Sequence, residues 1–240
     1  MTTFTKTIKI IAFDADDTLW VNETHFNDVQ AQFSELFSRY ASEEAIGAQL
    51  YEVEKENLRL FGYGAKGFIL SLIETAVQLT NGSISGHDVQ KIIDLGKELL
   101  ARPVQLVDGV PHVLDSLDED YALMVLTKGD LFDQESKLAR SGLAKYFHHV
   151  EIVSEKRPDT YRDILNRYGV EPHEFVMIGN SLRSDILPVL EIGAYAIHVP
   201  FHSTWVHEQV PADALADKQF LTLSSVQQVL EHFETPMRHS

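Results

Sequence analysis

Four short stretches of this chain carry side chains suited to gather around one anionic ligand. The first is Asp14-Ala15-Asp16-Asp17-Thr18, which follows an apolar run ending at Phe13. Like charges this close repel, and burying them costs free energy unless a cation joins them. Magnesium prefers hard oxygen ligands, commonly one or two carboxylates with water and substrate phosphate. A carboxylate beside such an ion can also attack phosphorus and form an aspartyl phosphate. An acidic turn capping the next segment is the plainer reading of the same residues.

The second stretch is Thr127-Lys128-Gly129-Asp130, where a hydroxyl and the amides of a glycine-containing turn can cradle phosphate oxygens. An ordinary strand-to-helix turn with Asp130 as its cap fits equally. The third, Ser154-Glu155-Lys156-Arg157-Pro158, offers a compact positive charge that could balance the carboxylates and hold a phosphate. A solvated lysine before a proline-started helix is the alternative. The fourth is Gly179-Asn180-Ser181-Leu182-Arg183-Ser184-Asp185. Its glycine permits a sharp turn, and Asn180 with Asp185 adds two oxygen donors. Each stretch alone has a mundane explanation, but their joint occurrence points to one phosphate and metal site.

The elements that must position these residues are legible from hydrophobic patterning. Ile8 to Phe13, Ala122 to Leu126, Val150 to Val153, Phe175 to Ile178 and Ala194 to Val199 are apolar throughout rather than alternating. That pattern suits strands buried on both faces. Helical stretches at Leu131 to Ser141, Asp159 to Tyr168 and Ser184 to Glu191 separate the last four, which predicts a parallel sheet wrapped on both sides. In such a sheet, ligands collect beyond the carboxyl ends of the strands, where all four stretches lie.

The interval between the first two strands is far longer than one crossover helix needs. It contains helix-forming segments at Phe26 to Tyr40, Glu43 to Leu60, Lys66 to Leu79 and Asp88 to Leu100. Phe33, Leu36, Phe37 and Tyr40 recur at the spacing of one buried helical face. The expected architecture is therefore an α/β, Rossmann-like three-layer core with a central parallel sheet, built from residues 1–20 and 103–240. Residues 21–102 form an inserted helical domain resembling a four-helix bundle.

Composition narrows the function. The 240 residues include 36 acidic and 20 basic side chains, for a formal charge of −16. No basic run suits a nucleic-acid backbone. Cysteine is absent, which excludes disulfides, thiolate nucleophiles and cysteine-based zinc sites. No stretch approaches the roughly 20 apolar residues that span a bilayer. The start of the chain lacks the apolar run of a signal peptide, so a cytoplasmic enzyme acting on a small molecule, as monomer or dimer, is expected.

In order and spacing, the four stretches resemble the haloacid dehalogenase superfamily of phosphotransferases. Its first motif, Asp-x-Asp-x-Thr/Val after a hydrophobic strand, corresponds to Asp14, Asp16 and Thr18. A strand-terminal Thr or Ser corresponds to Thr127, and a Lys to Lys156. Gly-Asp/Asn-x-x-x-x-Asp corresponds to Gly179, Asn180 and Asp185. The helical insertion after the first motif resembles the family's commonest cap placement.

The resemblance implies roles. Asp14 would be the nucleophile and a magnesium ligand, and Asp16 the general acid/base, lending its backbone carbonyl to the metal. Asp185 would complete the protein ligands, with Asn180 orienting a metal-bound water. Thr127 and Lys156 would bind the phosphoryl group, with the backbone near Ala15, Asp16 and Lys128. Lys128 stands where many relatives carry Asn. Dehalogenases of the family lack a carboxylate at the position of Asp16, so the resemblance favours a phosphatase acting on a small phosphorylated metabolite. A phosphomutase, a haloacid dehalogenase or a non-catalytic phosphate-binding module remain the alternatives.

Three weaker features complete the reading. Phe61-Gly62-Tyr63-Gly64-Ala65-Lys66-Gly67 could be a specificity loop, with Tyr63 and Lys66 reading the leaving group, or a plain connection. His198, His202 and His207 are poorly spaced for zinc. Val226 to Phe233 is expected as a closing amphipathic helix.

Overall fold

The computed structural model describes residue 4 and residues 7–203, 205–216 and 218–233. Among these, six strands form one parallel sheet: β1 (Ile10–Phe13), β2 (Ala122–Lys128), β3 (His149–Val153), β4 (Phe175–Gly179), β5 (Tyr195–His198) and β6 (Leu221–Thr222). Their order is β3-β2-β1-β4-β5-β6. Strand order reverses between β1 and β4, and ligands in such sheets bind outside the carboxyl ends at that point. Phe13 pairs with Val125 on one side and Ile178 on the other, so β2 and β4 flank the strand from which the first acidic stretch emerges.

The chain folds into two compact units. The first comprises the described residues up to Val21, then Val104–Lys128 and those from Leu138 onward. Alternate strand residues feed two apolar layers within it. Ile11, Phe13, Val125 and Ile178 pack with Val113 and Leu117 of a helix spanning Val110–Leu117. Ala12, Met124, Leu126 and Met177 pack with Tyr161 and Ile164 of the helix Pro158–Tyr168. Both faces are covered, which explains why β1 and β4 are apolar at successive positions.

The second unit comprises Asn22–Pro103 together with Gly129–Lys137. Its four long helices are Glu23–Phe37, Glu43–Phe61, Ala65–Leu79 and Gly86–Ala101. Ser42 and Ser85 cap the second and fourth by accepting from backbone N–H groups three residues on. Val29, Phe33, Phe37, Leu50, Leu72 and Ile92 fill the core between them. Gly96 lets the third and fourth helices approach closely, since a Cβ there would lie 2.5 Å from Ile69.

Three expectations change in detail. β2 continues two residues past Leu126, so Thr127 and Lys128 belong to the strand. The segment expected as one helix from Ser184 to Glu191 is a wide turn over Leu182–Ile186 followed by a short helix Leu187–Glu191. Leu187 donates to the Leu182 carbonyl, and Pro188, lacking an N–H, opens the helix. Val226–His232 is a 3₁₀ segment rather than an α-helix. Among the described residues, no helix is long and apolar enough to cross a membrane.

Candidate active site

Asp14 is the first residue after β1, and its N–H donates to the Ile178 carbonyl at 2.9 Å. The backbone is thereby tied to β4 at the point where the side chain leaves the sheet. Lys156, three residues beyond β3, sends its ammonium to Asp14 Oδ1 at 2.5 Å and to Asp185 Oδ1 at 2.7 Å. All three side chains are buried, with residue exposures of 8% for Asp14, 4% for Lys156 and 0% for Asp185. The neighbouring Arg157 is exposed, so Lys156 is the basic residue that turns inward.

One ammonium thus serves two buried carboxylates. Burial pushes the Asp14 carboxyl up to about 7 against the pull of Lys156, while the Asp185 and Asp16 carboxylates add to the rise. For Lys156, burial works against the charged form, but attraction to Asp14 and Asp185 outweighs it and raises the ammonium above its usual range. The cluster is one positive charge short of balance.

Asp185 is held from its other side as well. Its Oδ2 accepts the Ser181 N–H at 2.9 Å. Gly179 leaves the space it occupies, because a Cβ there would lie 2.2 Å from that oxygen. Tyr161 donates its hydroxyl to the Ser184 carbonyl at 2.8 Å, fixing the wide turn that presents Asp185. Burial and the nearby carboxylates push the Tyr161 phenol well above its ordinary range, so it remains a donor. Tyr161 lies five positions after Lys156, at the end of a Lys-x-Pro-x-x-Tyr run.

Residues Ala15 to Trp20 form a tight reversal. The Ala15 carbonyl accepts the N–H groups of Thr18, Leu19 and Trp20, and Asp17 adopts φ 62°. This returns Trp20 to Asp16, whose Oδ1 accepts the indole N–H at 2.7 Å. Thr18 donates to Asn180 Oδ1 at 3.2 Å, joining the first and fourth stretches. His198 Nε2 donates to the Asn180 carbonyl at 3.1 Å, and burial lowers the imidazole's proton affinity.

Thr127 is buried at the end of β2, beside β1. The backbone at Lys128 was expected near phosphate, and its side-chain ammonium is engaged elsewhere. It pairs with Glu208 and donates to Ser184 Oγ at 2.9 Å. Burial disfavours the Glu208 carboxylate, yet the Lys128 charge and three hydrogen bonds hold its pKa below the usual value. Glu208 and Trp20 carried no local motif, and sequence reasoning missed both.

The suggested specificity loop lies in the helical unit. Gly62 and Gly64 take φ values of 72° and 109°, breaking the chain between two helices. Tyr63 is half-buried, and Lys66 pairs with Asp130 at 2.9 Å, so its ammonium already has a partner. His202 stacks on Phe201, and His207 packs edge-on to Trp205. Among the described residues, no group of three or more His, Cys, Asp or Glu side chains is arranged to hold an ion. Two carboxylates, Asp14 and Asp185, converge on the Lys156 ammonium and together make an all-oxygen donor set. Such a set fits a hard cation that keeps part of its water shell.

Comparisons with known proteins point to one family. The haloacid dehalogenase-like hydrolase family matches residues 8–193. A solved haloacid dehalogenase-like family hydrolase from Xanthomonas campestris is 39% identical, covers 91% of this chain and 91% of its own, and aligns with a TM-score of 0.78. The glyceraldehyde 3-phosphate phosphatase of Methanopyrus kandleri is 26% identical over 210 residues, which is 80% of this chain and 84% of that protein. The N-acylneuraminate-9-phosphatase of Homo sapiens is 29% identical over 129 residues, 51% of this chain and 52% of that protein. With strand-end residues arranged in this way and a family match over most of its length, the chain belongs to the haloacid dehalogenase-like hydrolases.

Proposed function

We propose that the protein is a magnesium-dependent phosphatase that hydrolyses a small phosphomonoester through an aspartyl phosphate on Asp14. The observation that carries this reading is the shared ammonium of Lys156, which holds Asp14 and Asp185 together in a site one positive charge short. A phosphoryl group needs that excess of positive charge around it, because an attacking carboxylate and an anionic substrate otherwise repel. Magnesium held by Asp14, Asp185 and the Asp16 carbonyl would supply the missing charge.

The chain's own residues divide the remaining tasks. Asp14 attacks phosphorus as the bond to the leaving oxygen breaks, and Asp16 gives that oxygen a proton. A water then returns a proton to Asp16 and attacks phosphorus, breaking the bond to Asp14 and releasing inorganic phosphate. Thr127 and Lys156 hold phosphoryl oxygens through both steps. A carboxylate at Asp16 supports hydrolysis of esters over dehalogenation, which needs no proton on its leaving halide. Relatives named for glyceraldehyde 3-phosphate and N-acylneuraminate 9-phosphate support small phosphorylated metabolites as the substrate class.

The test is phosphate release from a panel of phosphorylated sugars, nucleotides and short acids, with and without magnesium, using Asp14→Asn as the blank. Magnesium-dependent release that disappears in the variant supports the reading. Release unchanged in Asp14→Asn would reject the nucleophile. An isomerised product with little free phosphate would favour a phosphomutase.

A further inference from the structure

Glu208 lies in a short 3₁₀ turn, Val206–Glu208, in the segment between β5 and β6. One of its carboxylate oxygens pairs with the Lys128 ammonium, and the other accepts the hydroxyls of Ser181 and Ser184, the latter at 2.6 Å. Lys128 also reaches Ser184 Oγ at 2.9 Å, so Glu208, Lys128 and Ser184 close into a ring of hydrogen bonds to which Ser181 is joined through Glu208. Every connection starts or ends beside a residue of the candidate site. Lys128 follows Thr127 directly, Ser184 precedes Asp185, and the Ser181 N–H itself binds Asp185 Oδ2. The Ser181 hydroxyl meanwhile caps the turn by accepting the Ser184 N–H at 3.0 Å.

We propose that Glu208 is a positioning residue that locks the end of β2 to the Asp185 turn, setting the spacing between phosphate-binding Thr127 and metal-binding Asp185. This inference rests on the phosphatase reading for what those two residues bind. In this role the Lys128 charge serves the clamp rather than the phosphate. Lys128 and Glu208 bury 88% of their side-chain surfaces, each leaving 12% exposed. Removing one charge therefore leaves the other buried without its counter-ion. The clamp also ties down the segment after β5, where Arg183 donates to the His207 carbonyl at 2.7 Å.

The experiment is a double-mutant cycle with Glu208→Gln, Lys128→Asn and the two combined. The main readout is magnesium-dependent binding of inorganic phosphate by calorimetry, alongside the melting temperature. Because binding is measured without turnover, a failure to find any substrate leaves this test intact. Residues that orient metal ligands are commonly worth about 10- to 100-fold in metal affinity or activity, so Glu208→Gln should weaken phosphate binding at least tenfold. The combined variant carries no unpaired buried charge but lacks the clamp as well, so it should regain part of the binding lost in Glu208→Gln and still fall short of wild type. If Glu208→Gln does not fold, the comparison of Lys128→Asn with the combined variant carries the test. There, binding in the combined variant that stays below wild type supports the clamp, and binding equal to wild type would overturn it. Phosphate binding within about twofold of wild type in folded Glu208→Gln, or strictly additive effects across the cycle, would overturn it.

Discussion

Trp20 donates its indole N–H to Asp16 Oδ1 at 2.7 Å across a reversal of only four residues. Trp20 is itself fully buried, so the carboxylate that should handle protons is fixed to an immobile partner. Trp20→Phe keeps most of the packing and removes the donor. A hydrogen bond to a charged group is worth about 1.5–3 kcal/mol, so turnover of alkyl phosphates should fall about tenfold or more. Aryl phosphates, whose leaving groups need little protonation, should be much less affected. Rates measured on leaving groups of graded acidity decide the matter, and equal losses on both classes would mean that Trp20 serves packing alone.

Lys156→Met removes the one ammonium that Asp14 and Asp185 share. Phosphate release should drop to background. Breaking a buried pair typically costs about 3–5 kcal/mol, and the melting temperature at pH 8 should fall accordingly. Acidification should reduce the difference from wild type, because the orphaned carboxylates can then take up a proton. A variant as stable as wild type at pH 8 would contradict that charge balance.

The raised Asp14 pKa makes a signed prediction about pH and metal. Its folded value of about 7 lies above the ordinary 3.8, so the folded protein keeps a proton that the unfolded chain has lost between those values. The stability contributed by this group is present at low pH and is lost as pH rises through about 7. Metal-free protein should accordingly melt lower at pH 8 than at pH 5.5 as far as Asp14 is concerned. Magnesium should stabilise most at pH 8 and should displace protons when it binds near pH 7. Calorimetric titrations in buffers of different ionisation enthalpy measure that release directly.

Gly179→Ala tests the space around Asp185. The new methyl would sit 2.2 Å from Asp185 Oδ2 and 2.4 Å from its Cγ. Asp185 cannot simply swing aside, because Lys156 and the Ser181 N–H hold its two oxygens. Phosphate release and magnesium affinity should both fall by more than about tenfold while the far-ultraviolet spectrum is retained. Wild-type magnesium affinity in this variant would show that Asp185 is not the ligand.

What the amino-acid sequence determined by itself was the set of strand ends. β1 and β4 are buried on both faces, and that burial writes an unbroken apolar run that can be read without a structure. Asp14, Lys156 and Asp185 could therefore be assigned to the ends of strands, and the helices of the insertion declared themselves by their periodicity. Only the tertiary structure decided which charges meet. Lys156 reaches Asp14 across 142 positions, and Lys128 finds Glu208 across 80. Side-chain pairs this far apart leave no period in the chain, so nothing local marked Glu208 or paired it with Lys128. The wide turn that presents Asp185 was hidden for a related reason. Its shape is set by Tyr161 and by the missing N–H of Pro188 rather than by any local helical preference. Strand order placed β1 between β2 and β4, and that placement turned four separate stretches into one cluster of charges.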